Sequence, residues 1–564
     1  MWPAVEVRRG ALQARYPRWQ VTTVDRHLAA AADEFAERPM VITDDVTRTY
    51  GEMGARAEKY ARGFRACGVR AGDRVAVIIA NDPEFVPLVM AIWRLGAAAI
   101  PVNFLFKAKE LEYVLAQSGA RVVVTMDSFR GLDYLAMLDD MAPGWRAGAA
   151  PALPDLTRVV VLGAASEGVL TVDELANLDP STDAFEFSPA DPHDAAVVMY
   201  TSGTTGLPKG VIQTHDAVLR TAYSSAHHRA FEDGRRILFA LPLYHAFALI
   251  EGMIAATFVG GAIIPQPIFD PALTLAGIER HQASDLLLVP TMSVAILEHP
   301  DRGNYDLSSM RSVLAGAAPT PVWVWQQLKD LLGIDEVFTG YGMTELTAAT
   351  TLTNPGDPLE VVNETVGRPK DGGSSGIEEW GWAIAQYATV DPFTGEHLPT
   401  GEEGELVARG PTATRGYFAN PEETDRLLLP DGWIRSGDLG RVRDDRYLVL
   451  TGRSKELYKS GGELVAPKEV ETILLQHAAV AQAFVIGLPD ERWGEVGCAW
   501  LVIKPGATQP SETEIIEWCV PRLAKFKLPR KVLFLTADEL PATPTGKVQK
   551  FRLVQMAQQQ LGRV

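Results

Sequence analysis

Cysteines and long apolar runs are scarce in this chain of 564 residues. The three cysteines, Cys67, Cys498 and Cys519, are far apart and lack the spacing of metal ligands. They favour reduced thiols in a cytoplasmic protein over a disulfide framework. The N-terminal segment has no apolar core of the signal-peptide type. The longest apolar stretch, 246–265, contains Glu251 and several glycines, which predicts a buried helix running into a strand. We therefore expect a soluble protein with no membrane span.

Positive charge is also in deficit. The chain has 53 lysines and arginines against 71 aspartates and glutamates, a net charge of −18. This balance argues against a nucleic-acid partner, which normally meets a basic face. An anionic ligand can still bind an acidic protein if its site supplies local donors and a metal ion offsets the charge. The length is enough for several domains, or for one large and one small domain, with a core that needs no disulfide or metal.

Short apolar runs alternate with segments of helical spacing over residues 73–125. Asn81-Asp82-Pro83 is a helix start signal, while Gly96 and Gly119 are stop signals. The predicted order is strand 75–80, helix 84–95, strand 98–102, helix 110–117 and strand 121–125. Further strands are predicted at 195–199, 237–241 and 310–315, and residues 281–289 are predicted to be a helix end followed by a strand. Strand–helix alternation indicates parallel βαβ units and an α/β fold.

The texture of the sequence changes near residue 440. Residues 441–450 resemble a hairpin with Asp444-Asp445 at its turn, and the polar stretch 452–455 follows. About a hundred residues of shorter, charged elements come next. We predict a large N-terminal domain, 1–451, of parallel and mixed sheets with helices. A small mobile C-terminal α+β domain, 452–564, would follow a hinge.

A loop dense in glycines and hydroxyls follows the predicted strand 195–199. Three glycines allow close approach of backbone N–H groups to a phosphate, the hydroxyls can donate to its oxygens, and one lysine adds a charge. The common P-loop spacing is absent, because the lysine stands three residues after the central glycine. The alternative is a flexible surface turn. The candidate phosphate-binding residues are Thr201, Ser202, Gly203, Thr204, Thr205, Gly206 and Lys209.

This loop resembles the phosphate loop of the acyl-adenylate-forming superfamily, which comprises acyl-CoA synthetases, adenylation domains of peptide synthetases and luciferases. The segment 340–345, Gly-Tyr-Gly-Met-Thr-Glu, resembles the second ATP motif of that superfamily. The resemblance implies that Thr344 contacts the α-phosphate, Glu345 and Thr201 help to hold Mg²⁺, and Tyr341 packs on adenine. Taken alone, the segment would be a helix N-terminus. Further nucleotide-binding residues implied are Gly316, Ala317, Ala318, Gly340, Gly342 and Met343.

Three later segments complete the resemblance. Residues 436–440 resemble the ribose motif, in which Asp438 would accept hydrogen bonds from the ribose hydroxyls. Residues 452–456 resemble the hinge motif, with Arg453 near the nucleotide and Lys455 as the pivot. Residues 544–550 resemble the last motif, in which Lys547 reaches the carboxylate and the α-phosphate during adenylation. The implied catalytic residues are Lys547, His245 and Thr344.

The segment 241–247, Leu-Pro-Leu-Tyr-His-Ala-Phe, bears on the substrate. Amino-acid-activating relatives carry an aspartate here that pairs with the α-ammonium group. This chain has His245 and aromatics, which favours an aliphatic or aromatic acid without an α-amine, because a buried unpaired carboxylate would be costly. The alternative for His245 is a structural histidine at a strand end. The predicted acid pocket comprises His245, Ala315, Gly316 and Gly340.

The acyl acceptor is the least determined part of the sequence prediction. The chain ends soon after Lys550, so an external acceptor is expected, and the resemblance implies coenzyme A with Ser460, Gly461 and Gly462 along its path. The basic run 525–531 is either a CoA phosphate contact or a solvated face. The stretch 370–390 is longer than in relatives, and fatty acyl-AMP ligases, which use carrier proteins, also carry an insertion. A luciferase-type oxygenase and a non-enzymatic nucleotide-binding regulator are further alternatives for the function. For the state of association, a homodimer is one expectation.

Overall fold

The computed structural model describes residues 3–164, 166–180, 190–201, 207–316, 320, 322–453, 456–460, 463–490, 493–542 and 548–561. Its packing divides the chain into two compact units. The first contains residues 1–386 and 408–434, and the second contains residues 387–407 and 435–564. The boundary at 452 stays a prediction, because packing does not show where the chain turns.

Two seven-stranded sheets form the centre of the first unit. Five of the six neighbouring pairs in each sheet are parallel. In spatial order, the strands of one sheet are Glu336–Phe338, Ser312–Ala315, Asp285–Leu288, Arg236–Phe239, Ala262–Pro265, Pro39–Ile42 and Thr47–Thr49. Those of the other are Lys209–Thr214, Ala195–Thr201, Ala98–Pro101, Arg74–Ile78, Val122–Met126, Arg158–Leu162 and Leu170–Thr171. The strands predicted from short apolar runs are all present.

Helices cover these sheets, as the βαβ pattern requires. Phe85–Arg94 is buried along its whole length, and Gly119 ends Ala108–Ser118 in the left-handed conformation at φ 57°. The predicted helix in 246–265 is present as a π-helix, Phe247–Ile254, continued by Ala255–Thr257. The other α-helices are Val5–Arg15, Val24–Glu34, Tyr50–Ala66, Tyr134–Met141, Val172–Asn177, His215–His228, Pro271–His281, Pro290–Glu298, Val322–Leu332, Leu359–Glu364 and Pro421–Leu427. Short 3₁₀ turns lie at Trp145–Ala147, Arg302–Asn304, Thr344–Leu346, Gly373–Ser375 and Glu378–Trp380.

A small antiparallel sheet of Gly340–Met343, Ala348–Leu352 and Arg368–Pro369 contains the second predicted ATP segment. The local alternative of a helix N-terminus is wrong: Gly340–Met343 is extended, and only one 3₁₀ turn follows. A Cβ on Gly342 would lie 2.0 Å from the Ala348 carbonyl oxygen, and one on Gly340 would lie 2.3 Å from the Thr351 carbonyl oxygen. Both glycines are therefore required by close pairing of the hairpin. A second hairpin joins Ser128–Phe129 to Leu132–Asp133.

The second unit holds a sheet of Glu463–Val465, Tyr458–Ser460, Gly494–Ile503 and Val480–Asp490, with Lys531–Phe534 also paired to Gly494–Ile503. Successive strand residues face opposite sides, so Ala499 and Leu501 join one apolar cluster while Cys498 and Trp500 join the other. The helices of this unit are Pro467–Leu474, Glu512–Cys519 and Lys550–Gln560, with 3₁₀ turns at Lys525–Lys527 and Ala537–Glu539. Most residues of a four-stranded sheet, Gln386–Val390, Gly404–Arg409, Ile434–Val442 and Leu448–Arg453, also belong here.

The predicted fold class, a large α/β part followed by a small α+β part, is confirmed. The hairpin predicted at 441–450 is present, formed by the last two strands of the four-stranded sheet. Among the described residues, no helix is both long enough and apolar enough to span a bilayer.

Candidate active site

The two ends of the predicted phosphate loop face each other across a hairpin. Thr201 ends one strand, Lys209 begins the next, and the two residues are direct cross-strand partners. The next residue is Gly210. Glycine is required there because a Cβ would lie 2.8 Å from a Val198 methyl carbon. Ser202, Gly203, Thr204, Thr205 and Gly206 lie outside the described residues. The hairpin therefore fixes where the loop leaves and rejoins the sheet.

The side chain of Lys209 is engaged within the first unit. Its ammonium forms an ion pair with Glu423 and lies 5.1 Å from the centroid of the Tyr417 ring. Glu423 stands in the first turn of Pro421–Leu427, where Asn420 caps the helix by accepting a hydrogen bond from the Glu423 N–H at 3.2 Å. The hydrogen bond that the Lys209 ammonium donates to the Glu423 carboxylate holds the pKa of Glu423 below its usual value. The sequence analysis did not find Glu423, which lies 214 residues from Lys209.

Glu345 lies in the 3₁₀ turn that follows the Gly340–Met343 strand. Its backbone carbonyl accepts a hydrogen bond from the Thr414 N–H at 2.7 Å, and the Gln213 side chain donates to the Thr344 carbonyl at 2.9 Å. The Tyr417 hydroxyl donates to the Glu345 carboxylate at 2.7 Å. Glu345 is partly exposed. The structure thus brings two predicted site residues, Lys209 and Glu345, to the same tyrosine.

Burial and the neighbouring Glu345 carboxylate both raise the pKa of the Tyr417 hydroxyl above its usual value. The hydroxyl therefore stays protonated at neutral pH and remains a hydrogen-bond donor. Because a tyrosine hydroxyl is neutral, it orients the carboxylate without cancelling its charge.

The predicted acid pocket is assembled in part. A Cβ on Gly316 would lie 3.8 Å from the Phe247 ring and 3.9 Å from the Gly340 carbonyl oxygen, so these three residues lie together. His245 and Phe247 are partly exposed within an otherwise buried segment. Ala315, by contrast, is fully buried and packs in the core. Ala317 and Ala318 lie outside the described residues.

The segment before His245 is held by Asn81, which the sequence analysis identified only as a helix start signal. The Asn81 amide donates to the carbonyls of Leu241 and Gln266, both at 2.9 Å. Its side-chain oxygen accepts from the Leu243 N–H at 2.8 Å. The Nδ1 of His245 accepts from the Phe247 N–H at 3.3 Å. His245 thus lies just before the π-helix Phe247–Ile254, and its backbone carbonyl accepts a hydrogen bond from the Leu249 N–H at 3.0 Å.

A buried ion pair lies at the start of the atypical stretch 370–390. Lys370, the first residue of the atypical stretch 370–390, lies 2.7 and 2.9 Å from the two carboxylate oxygens of Glu251. Both side chains are fully buried. The Ser225 hydroxyl and the Ala349 N–H donate to the same carboxylate at 2.5 and 3.2 Å. Lys370 therefore ties the start of this stretch to the π-helix that carries Phe247.

The second unit carries the remaining described site residues. Asp438 and Arg453 are cross-strand partners, and their side chains form an ion pair at 3.0 Å. Ser460 is buried and pairs with Gly494 and Glu463. Lys550 forms ion pairs with Glu456 and Glu471 at 2.6 and 2.7 Å. Lys455, Gly461, Gly462 and Lys547 lie outside the described residues, so their roles stay predictions, as do those of all the site residues.

The chain matches two models of one protein family. The model described as AMP-binding enzyme covers residues 28–418, and the model of the AMP-binding enzyme C-terminal domain covers residues 469–547. The chain belongs to the AMP-binding enzyme family. The predicted membership of the acyl-adenylate-forming superfamily is thereby confirmed, and the protein is an enzyme of the acyl-CoA synthetase class.

The similarity to relatives covers nearly the whole chain. A propanoyl:CoA ligase of Rhodococcus jostii, named for a methyl-dioxo-octahydroindenyl acid, is 34% identical over 94% of this chain and 98% of its own length. A mitochondrial medium-chain acyl-CoA ligase of Danio rerio is 30% identical over 96% of this chain and 89% of its own. The crystal structure of the anthranilate CoA ligase AuaEII with anthranoyl-AMP is similar with a TM-score of 0.82 at 28% identity, covering 96% of this chain and 98% of that one.

Proposed function

We propose that this enzyme activates a carboxylic acid lacking an α-amino group with ATP and transfers the acyl group to coenzyme A. The observation that carries the proposal is that Lys209, at the end of the predicted phosphate loop, and Glu345 both contact Tyr417, the first at its ring and the second at its hydroxyl. A cation on a loop and a carboxylate beside it suit a nucleotide phosphate chain and its metal ion.

The donor set around Glu345 fits Mg²⁺. No group of three or more His, Cys, Asp or Glu side chains among the described residues could hold a metal ion by itself. Mg²⁺ commonly takes one or two carboxylates and completes its octahedron with waters and substrate phosphates. Glu345 would supply the carboxylate and Thr201 a hydroxyl. When bound, the ion neutralises charge that develops on the leaving pyrophosphate.

The first half-reaction joins the acid to AMP. A carboxylate oxygen attacks the α-phosphorus of ATP, the bond from that phosphorus to the α,β-bridging oxygen breaks, and pyrophosphate leaves with that oxygen. In our proposal the Lys209 ammonium leaves its ion pair with Glu423 and binds the phosphates of ATP instead. In the superfamily pattern, Lys547 reaches the reacting oxygens. A single such electrostatic contact changes the rate by about 10²–10³-fold.

The second half-reaction forms the thioester. The sulfur of the CoA thiolate attacks the acyl carbonyl carbon, and AMP leaves with the original carboxylate oxygen. In our proposal the small domain turns about Lys455, which withdraws Lys547 and brings the segment of Ser460, Gly461 and Gly462 toward the thiol. The domain boundary at 452 is part of the same proposal.

The acid itself is proposed to be apolar near its carboxylate. Support comes from His245 and Phe247, which are partly exposed in the segment where amino-acid-activating relatives carry an aspartate, and from Gly316, whose lack of a side chain leaves space beside the Phe247 ring. The relatives named above act on a bicyclic propanoic acid, a medium-chain acid and anthranilate. Medium-chain, long-chain and aromatic acids are therefore the classes to compare.

A panel of these acids, scored by pyrophosphate release, would identify the class of substrate. AMP formation measured with and without CoA would separate CoA transfer from the alternative, transfer to a carrier protein. We expect AMP and acyl-CoA to form together only when CoA is present. Pyrophosphate release with no CoA-dependent thioester would favour the carrier-protein ligase, and no acid-dependent release would contradict both.

The Lys547→Ala variant tests the division of labour between the two half-reactions. It should lose ATP–pyrophosphate exchange and still convert a supplied acyl-adenylate with CoA. An equal loss in both half-reactions would show that Lys547 has been assigned wrongly.

A further inference from the structure

Tyr417 contacts both charged residues of the phosphate site with different parts of one side chain. Its hydroxyl donates to the Glu345 carboxylate at 2.7 Å, and its ring lies 5.1 Å from the Lys209 ammonium. Lys209 takes its charged partner elsewhere, from Glu423. The carboxylate of Glu345 is therefore positioned by a neutral donor.

The backbone around Tyr417 is held firmly against the phosphate-loop hairpin. Tyr417 forms an antiparallel bridge with Val211, and its N–H donates to the Thr424 hydroxyl at 2.9 Å. The next residue, Phe418, donates its N–H to the Gly210 carbonyl at 2.7 Å.

The residue before Tyr417 explains the sharp path of the chain. Gly416 has φ 134°, and a Cβ there would lie 2.4 Å from the Thr424 methyl carbon. Only glycine suits this position, because both the dihedral angle and the space exclude a side chain. The turn at Gly416 and the backbone hydrogen bonds of Tyr417 thus fix the position of the Tyr417 side chain in the protein without a bound ligand.

We propose that Tyr417 is a positioning residue of the adenylation step: its hydroxyl fixes one oxygen of Glu345 and leaves the other for the cation that accompanies ATP. The proposal rests on the proposed function, since it needs a nucleotide–metal complex at this site. It assigns no direct contact between Tyr417 and the substrate. Its consequence is that loss of the hydroxyl weakens the use of the metal ion without weakening the contacts of ATP with the protein.

The test is isothermal titration of ATP into the full-length protein with no acid present, once with Mg²⁺ and once with EDTA. Tyr417→Phe removes the hydroxyl and keeps the ring. Tyr60→Phe is a matched control. Tyr60 lies in the helix Tyr50–Ala66, and its hydroxyl also donates to a carboxylate, that of Glu84, at 2.6 Å. ATP–pyrophosphate exchange at varied Mg²⁺ gives a second readout.

For Tyr417→Phe we expect the gain in ATP affinity produced by Mg²⁺ to fall about 10-fold, as for one lost hydrogen bond to a charged group. Affinity in EDTA should be unchanged, and the Mg²⁺ concentration for half-maximal exchange should rise by a similar factor. Tyr60→Phe should behave as the wild type does.

An unchanged Mg²⁺ gain in Tyr417→Phe would overturn the proposal. Equal losses in Mg²⁺ and in EDTA would do so too, because they indicate a structural role. If the wild-type protein itself binds ATP but shows no acid-dependent exchange, the proposed function fails. That result is distinct from failure of the role of Tyr417.

Discussion

The buried pair of Glu251 and Lys370 should be one of the most sensitive points of the first unit. Lys370→Met keeps the length of the side chain and removes the ammonium. Among the described residues, the buried Glu251 carboxylate then keeps the Ser225 hydroxyl and the Ala349 N–H as its hydrogen-bond donors. Removing one member of a buried ion pair typically costs about 3–5 kcal/mol. Burial lowers the pKa of the Lys370 ammonium, and the Glu251 carboxylate opposes this shift by stabilising the charged form.

The expected shift in melting temperature follows from the size of the unit. Unfolding entropy is roughly 2 cal/mol/K per residue, so about 400 residues give about 0.8 kcal/mol/K. A loss of about 4 kcal/mol then lowers the Tm of the first unit by about 5 °C. Differential scanning calorimetry of the full chain resolves the transition, provided the two units are fitted separately.

Two further variants decide whether the ion pair is the cause. Lys370→Met combined with Glu251→Gln leaves a neutral amide that can still accept from Ala349, and it should recover at least half of the lost Tm. Arg426→Met removes an exposed partner of both Glu422 and Glu423 and should shift the Tm by about 1 °C or less, since ion pairs within a surface helix contribute roughly 0.3–0.5 kcal/mol each. A double variant as unstable as the single one would refute the reasoning.

Two more predictions concern packing and pH. His215 is 1% exposed, and burial lowers its pKa to about 4. Between about pH 6.5 and pH 4, His215 is therefore protonated in the unfolded chain and neutral in the folded chain. The free energy of unfolding falls as the pH drops below about 6.5, by roughly 2 kcal/mol at pH 5. His215→Asn should lose that share of the pH dependence in denaturant titrations at pH 7 and pH 5. Gly342→Ala should lower stability by more than about 2 kcal/mol, because its Cβ would lie 2.0 Å from the Ala348 carbonyl oxygen. Gly10→Ala, in an open helix position, should be neutral or stabilising by up to about 1 kcal/mol.

Each of these has a clear contrary result. An equal loss of stability from pH 7 to pH 5 in wild type and His215→Asn would show that His215 does not titrate in this range. A Gly342→Ala variant as stable as Gly10→Ala would show that the hairpin is wider than its backbone spacing indicates.

The large α/β part was predictable because its strands are buried on both faces. Runs such as 75–80 and 121–125 carry few polar residues, and Gly119 ends a helix in the left-handed conformation that favours glycine. The π-helix at Phe247–Ile254 was less predictable, since an apolar run fits several helix types. The local sequence pattern therefore predicted a helix here but not that it is a π-helix.

The candidate site was predicted through resemblance more than through local pattern. Local reading of 340–345 favours a helix N-terminus, whereas the segment pairs as a strand because its glycines let Ala348 and Thr351 approach closely. Tyr417 and Glu423 were missed because they contact residues 72 and 214 positions away in the chain. Lys370 and Glu251 are 119 positions apart. Such pairs depend on the folded topology, and one sequence alone carries no signal for them.

The central claim is that the carboxylate attacks the α-phosphorus of ATP. An acid labelled with ¹⁸O in its carboxylate tests this most directly, with mass analysis of AMP and pyrophosphate after turnover with CoA. Our account predicts one ¹⁸O in each AMP formed and none in pyrophosphate. Unlabelled AMP, or label in pyrophosphate, would contradict it.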